Sequence, residues 1–235
     1  ATIARRLRTH GVTVAAEEIL LTHGAQHGLD LVLRLLSKPG DAVAVESPTY
    51  AHALPLFRLH GVALQPVPMR ADGMDLDVLA AACRRRRPAL VYTIPNFHNP
   101  TGITTSQEHR ERLLGLAEKH GVPILEDGFE EEMKYFGCAV LPVKSMDARG
   151  IVIYVGTFSK VIFPGLRVGW LAASRDCIER LLAINRFASL SGPNVIHAAL
   201  DRFCRAGDYE RHVRRLHTAY RRRMHVMLRG LETHL

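Results

Sequence analysis

Cysteine is scarce and scattered. The four thiols of this 235-residue chain, Cys83, Cys138, Cys177 and Cys204, form no C-x-x-C pair. That argues against a zinc knuckle or a disulfide scaffold and makes a reducing, cytoplasmic setting the simplest fit. Long apolar runs are also missing. None approaches the ~20 residues that cross a bilayer, and the opening Arg5-Arg6-Leu7-Arg8 is no secretion signal, so no membrane partner is expected. Neither G-x-G-x-x-G nor G-x-x-x-x-G-K-[ST] occurs, which disfavours nicotinamide and P-loop nucleotide binding. His23 and His27 are spaced for a helical metal pair, but Gly24 breaks the helix between them and no third ligand is evident, so no metal is expected. No internal repeat, low-complexity tract or long linker is visible.

What is present is a globular composition. With 47% hydrophobic and 23% charged residues, the chain can bury a sizeable core. Thirty-one basic against 23 acidic side chains leave +8, which favours anionic partners: a phosphate cofactor, an acidic substrate or nucleic acid. The runs Arg84-Arg85-Arg86-Arg87 and Arg221-Arg222-Arg223 could grip nucleic acid, but such runs are usually solvated helix faces.

Apolar runs alternate with amphipathic ones, separated by Gly, Pro and Asp, which is the pattern of βα units around a parallel sheet. Strands are predicted over 19–22, 42–46, 63–67, 89–94, 123–126, 151–155 and 167–172, and helices over 26–36, 50–59, 77–84 and 106–120. Leu113, Leu114 and Ala117 mark the buried face of the last of these helices, and Ser106 its cap. The fold class is therefore α/β: a mostly parallel seven-stranded sheet with helices on both faces, followed by a long helix. From about Arg175 the pattern is helical. Tyr209, Val213, Leu216, Tyr220, Met224, Met227 and Leu231 recur at spacings of three and four, predicting one long basic amphipathic helix.

Three segments carry chemistry. Lys160 lies in Gly156-Thr157-Phe158-Ser159-Lys160 directly after a predicted strand, where a desolvated amine could act as a nucleophile toward an aldehyde. Phe163-Pro164-Gly165-Leu166-Arg167-Val168-Gly169-Trp170 follows it. Upstream stand Asn96-Phe97-His98-Asn99-Pro100-Thr101-Gly102 and, closing another predicted strand, Glu126-Asp127. Together they resemble the pyridoxal-phosphate enzymes of the aspartate aminotransferase fold type. The likeness is closest to the α-aminoadipate and kynurenine type aminotransferases and to the aminotransferase-like domains of MocR-type regulators of the GntR superfamily.

That resemblance assigns roles. Lys160 would form the Schiff base and then move the Cα proton, and Asp127 would pair with the pyridine nitrogen. Asn99 would donate to the ring 3′-oxygen, and Tyr50 would stack on the ring. The phosphate cup would come from Gly24, Ala25 and Gln26 at a helix N-terminus, with Thr157 and Arg167. His98 lies beside the proposed site and is a candidate for substrate contact. One departure stands out: relatives often carry a tyrosine shortly after the aspartate, whereas Asp127-Gly128-Phe129-Glu130 offers none.

Two functions follow. One is an aminotransferase acting on an amino acid and a 2-oxo acid. The other is a pyridoxal-phosphate-binding effector domain of a MocR/GntR-type transcriptional regulator, which would meet DNA only through an upstream winged helix. The resemblance further implies a homodimer. It divides the chain into a cofactor-binding large domain over 1–207 and a long basic helix over 208–235, leading to a small domain beyond this sequence.

Overall fold

A computed structural model of the chain describes residues 1–129, 132, 140–189 and 192–234, so Cys138 and Glu130 lie outside the described residues. Eight strands form one sheet in the order β1-β8-β7-β6-β5-β2-β3-β4. They are β1 (Ile19–Thr22), β2 (Ala42–Ser47), β3 (Ala63–Arg70), β4 (Gly73–Met74), β5 (Leu90–Thr93), β6 (Ile124–Asp127), β7 (Val152–Thr157) and β8 (Gly169–Ala172). The central run β3-β2-β5-β6-β7 is parallel, and β8, β1 and β4 join antiparallel. The two-residue β4 is the strand that sequence periodicity could not register, being too short to show alternation.

Alternation along each strand sends side chains to opposite faces. Val43, Val45, Leu90, Tyr92, Leu125, Ile153, Val155 and Leu171 pack on one face with Leu29, Val32, Phe57 and Leu181. These last four come from α2 (Ala25–Leu36), α3 (Ala53–Leu59) and α6 (Arg175–Ser189). Ala44, Val91, Ile124 and Val152 take the other face, under Leu79 and Cys83 of α4 (Leu76–Arg85) and Leu113, Leu114 and Ala117 of α5 (Gln107–His120). The Ser106 hydroxyl accepts from the His109 N–H and caps α5, and Gly121 ends it with a left-handed φ of 62°. Tyr154 of β7 and Trp170 and Ala172 of β8 meet α1 (Thr2–Thr9), α7 (Asn194–Arg205) and α8 (Asp208–His234).

Helix α8 runs 27 residues, of which Tyr209 is buried, while Val226, Met227, Leu228 and Leu231 along its second half are exposed. Among the described residues, no helix is long and apolar enough to cross a membrane.

Most boundaries shift by a residue or two, β3 runs on to Arg70, and three differences bear on the site or on the core. Helix α1 was not expected, because its polar, arginine-rich turns bury only Ala4 and Leu7. The helix predicted from Tyr50 starts at Ala53, leaving Tyr50 in a loop. The strand predicted from Arg167 starts at Gly169, because Arg167 takes a left-handed conformation (φ 50°) that leaves the sheet.

The only tryptophan, Trp170, lies over Gly156, its antiparallel neighbour in β7. A Cβ at Gly156 would fall 2.3 Å from the indole ring. Gly156→Ala is therefore expected to displace Trp170 and cost about 1–3 kcal/mol. A lower melting temperature together with a shifted tryptophan emission would bear this out; an unchanged emission maximum would contradict it.

Candidate active site

Open α/β sheets present ligand sites beyond the carboxyl ends of their parallel strands, and the polar residues of this chain gather there. A cavity of about 170 Å³ opens at the ends of β6 and β7, against the start of α2. Its lining includes Ala25, Gln26, Tyr50, Asn99, Asp127, Thr157, Lys160 and Arg167, joined by Phe129, Ser159 and Pro164. Of the nine positions given a cofactor role from sequence, all but Gly24 line it. Gly24 is buried just behind the wall, with φ 91°, where an added Cβ would fall 2.7 Å from an Arg167 guanidinium nitrogen.

Asp127 forms the floor. Its side chain ends β6, and Oδ2 accepts a 2.9 Å hydrogen bond from the Tyr92 hydroxyl, while the Phe129 N–H also serves the carboxylate. The second oxygen, Oδ1, is buried with no hydrogen-bond partner among the described residues. Burial pushes this carboxyl from 3.8 up to about 6; the Tyr92 and Phe129 donors oppose the rise and the negative charge of Glu46 adds to it. Such a half-satisfied carboxylate in a cavity floor is suited to a cationic or N–H donor entering from above. Sequence reading missed Tyr92. It faces the same side as Asp127 because Tyr92 pairs with Leu125, two residues back along β6, a register no local pattern reveals.

At the opposite end the field is positive. Gly24 is the N-cap of α2 and supplies no side chain to its first amides, so the helix start presents free N–H groups. The Arg167 guanidinium is held over this turn by donating to the His23 carbonyl at 2.7 Å. Its left-handed backbone turns it out of the sheet and toward the helix start. Thr157 is buried, and its hydroxyl lies 3.0 Å from the Ser159 hydroxyl and 3.2 Å from the Val168 carbonyl. Gln26 is partly committed: its amide donates to the His52 carbonyl at 3.0 Å, bracing the loop that carries Tyr50.

Tyr50 is half-buried on the side wall, its ring edge-on to His52. Burial raises its hydroxyl pKa; nearby Asp127 adds to this and Arg167 opposes it. Asn99, at the tip of its loop, and Lys160, in the turn after β7, are both exposed at the rim. The expected desolvated lysine is thus corrected: Lys160 reaches the cavity but stands in contact with solvent. His98 is corrected as well. It is buried behind the cavity wall against Glu46 and does not face the open space. Glu126, beside Asp127, faces the other side of the sheet and accepts the Val143 and Lys144 N–H groups at 2.8 Å, a structural duty. The rings of His23 and His27 lie 4.9 Å apart, with the His23 N–H donating to His27 Nδ1.

A lysine, a buried carboxylate, an open helix start with an arginine and an aromatic side chain thus surround one small cavity. The family model for "Aminotransferase class I and II" matches residues 1–234, and the chain belongs to that family. Among curated proteins it is 37% identical to a 2-aminoadipate transaminase of Thermus thermophilus, over 94% of this chain and 56% of that one. It is 34% identical to aromatic-amino-acid aminotransferase 1 of Thermococcus litoralis (95% and 55%), and 35% identical to the HTH-type transcriptional regulator TauR of Rhodobacter capsulatus (96% and 46%). Among solved structures, a multiple substrate aminotransferase from Thermococcus profundus superposes with a TM-score of 0.93 at 32% identity, covering 100% of this chain and 60% of that one. The chain spans about half the length of the curated relatives it matches.

The raised Asp127 value has a stability consequence. A carboxyl whose folded pKa lies above its unfolded one stabilises the fold most below about pH 4, and that contribution is lost as pH rises through about 6. Charging it costs on the order of 3 kcal/mol. Asp127→Asn is therefore expected to melt above wild type at pH 8 when no cofactor is added, and to lose that advantage at pH 4. Equal melting shifts at both pH values would show that Asp127 carries no such buried charge.

Proposed function

We propose that the protein is a pyridoxal-phosphate-dependent aminotransferase exchanging an amino group between an amino acid and a 2-oxo acid. The observation that carries this reading is the buried Asp127 with Oδ1 unpartnered at the cavity floor, opposite a cationic helix start and below an amine. These residues fit the cofactor. A protonated ring nitrogen supplies the donor that Oδ1 lacks, and a phosphate dianion matches the α2 N-terminus with Arg167, Thr157 and Ser159. A flat ring suits the Tyr50 wall, within reach of Asn99. A Thermus thermophilus relative of 32% identity was solved with N-(5'-phosphopyridoxyl)-L-leucine, which supports the same cofactor here.

When bound, pyridoxal phosphate supplies an electron sink for the bond broken at the substrate Cα. The chain's own groups do the rest. Asp127 would pair with the protonated ring nitrogen, and Tyr92 keeps that carboxylate oriented. Lys160, at the rim, is the amine that would hold the cofactor aldehyde and would move a proton at the substrate carbon. Asn99 orients the ring oxygen. Arg167 fixes the phosphate, and Tyr50 with Phe129 narrows the space open to water.

Residues 1–207 form the cofactor-binding large domain, and 208–235 a helix leading to a small domain, for which the exposed apolar residues of α8 offer a seat. The working form is a cytoplasmic homodimer. One observation favours a second reading: TauR and other regulators are among the relatives, so the same domain could serve as the ligand sensor of a MocR/GntR-type regulator that meets DNA through a separate winged helix.

Borohydride reduction of the intact protein saturated with pyridoxal phosphate is expected to label Lys160, as located by peptide mapping, and Lys160→Ala to abolish the label. Loss of the Asp127 carboxylate should slow amino transfer by roughly two to four powers of ten, from a buried-pair cost of ~3–5 kcal/mol. Labelling elsewhere would end the cofactor assignment. Labelling at Lys160 with no amino acid converting the cofactor to its amine form would replace the enzyme by the sensor.

A further inference from the structure

Behind the cavity lies a buried polar cluster that the proposed chemistry does not use. Glu46 ends the buried part of β2, just before Ser47-Pro48-Thr49-Tyr50, and its side chain is wholly buried. One position past the paired Val45 and Tyr92, the Thr93 hydroxyl donates to Glu46 Oε1 at 2.6 Å, and the Ile94 N–H donates to Oε2 at 3.0 Å. His98, also wholly buried, faces the same carboxylate, with Nε2 3.1 Å from Oε2 in a bent approach. The other end of the ring, Nδ1, lies 2.8 Å from the Thr101 hydroxyl and receives the Thr101 N–H at 3.5 Å. An Nδ1 that accepts leaves the ring proton on Nε2, toward Glu46.

This geometry has a mechanical meaning. The loop presenting Asn99 is closed on itself by His98 N–H to the Ile103 carbonyl (2.8 Å) and Gly102 N–H to the His98 carbonyl (2.6 Å). Its base is held by the buried Arg110, which donates to the Pro95 carbonyl and to Asn96 Oδ1 at 3.0 and 2.6 Å. Its tip is held by the His98 ring, which reaches Glu46 on one side and Thr101 on the other. Because Glu46 leads directly into the segment carrying Tyr50, one rigid ring links the two loops that bring Tyr50 and Asn99 to the cavity.

We propose that His98 is a positioning residue: anchored on Glu46, it couples the Asn99 loop to the Tyr50 loop and sets their spacing for the ring that both would touch. The coupling stands on contacts within the chain, and its effect on cofactor binding rests on the function proposed above. Removing the imidazole empties the buried space against the Glu46 carboxylate and takes away the partner of the Thr101 hydroxyl at the tip of the loop, so both segments should loosen together.

Hydrogen exchange by mass spectrometry on the intact protein tests the coupling without added cofactor. His98→Ala should speed exchange about tenfold in residues 47–53 and 96–105 while leaving α5 unchanged, as loss of one buried hydrogen bond and local opening would give. His98→Gln, with a donor and an acceptor at similar reach, should restore most of the protection. With pyridoxal phosphate added, His98→Ala should weaken binding about tenfold, and His98→Ala with Asn99→Ala should bind no more weakly than Asn99→Ala alone. Loosening confined to 96–105, or spread equally into α5, overturns the proposal. So does unchanged affinity in His98→Ala, or losses that add. If wild type itself binds no pyridoxal phosphate, the proposed function falls and the exchange result alone decides the coupling.

Discussion

A carboxylate with half its hydrogen-bonding capacity satisfied sits at the centre of this structure. Asp127 is buried at the end of β6, steadied by Tyr92 on one oxygen and left open on the other. Burial without full pairing works against the charged form, and proteins keep such a group only where surrounding contacts hold it in place. Here the parallel sheet does that: β6 lies between β5 and β7, so the aspartate cannot turn to solvent without breaking the sheet. The remaining cavity walls arise from the same strand ends. Parallel neighbours finish side by side, which brings residues from distant parts of the sequence within a few ångströms.

The electrostatics are polarised along the cavity. A buried anion at one end and a helix start with a guanidinium at the other create a field that orients a ligand of opposite polarity before any side chain moves. Seven further arginines stand exposed along α8, away from this cavity.

Much of this was legible because βα units punctuate themselves. Lys160, Asp127 and Asn99 each follow an apolar run at a turn, so their placement at strand ends could be read from local pattern, and the structure brings them to one cavity. Arg167 was found by its motif but misplaced, since a left-handed arginine after a proline-glycine turn leaves no signature distinct from a strand start. Tyr92 was invisible for another reason: its hydroxyl matters only through the pairing of β5 with β6, a long-range fact. His98 was read as facing the ligand because proximity in sequence to Asn99 says nothing about which side of a tight turn a ring occupies. The exposure of Lys160 was equally out of reach, being set by what covers the rim.

The contact between Gly24 and Arg167 has a consequence for how this chain can vary. The guanidinium occupies the space that any side chain at position 24 would claim, and the backbone there adopts an angle that side chains resist. The two positions are thus a single steric unit separated by most of the polypeptide. Drift at one is closed unless the other shrinks first, and a shorter cation at 167 would open position 24 only at the expense of the charge that guards the helix start.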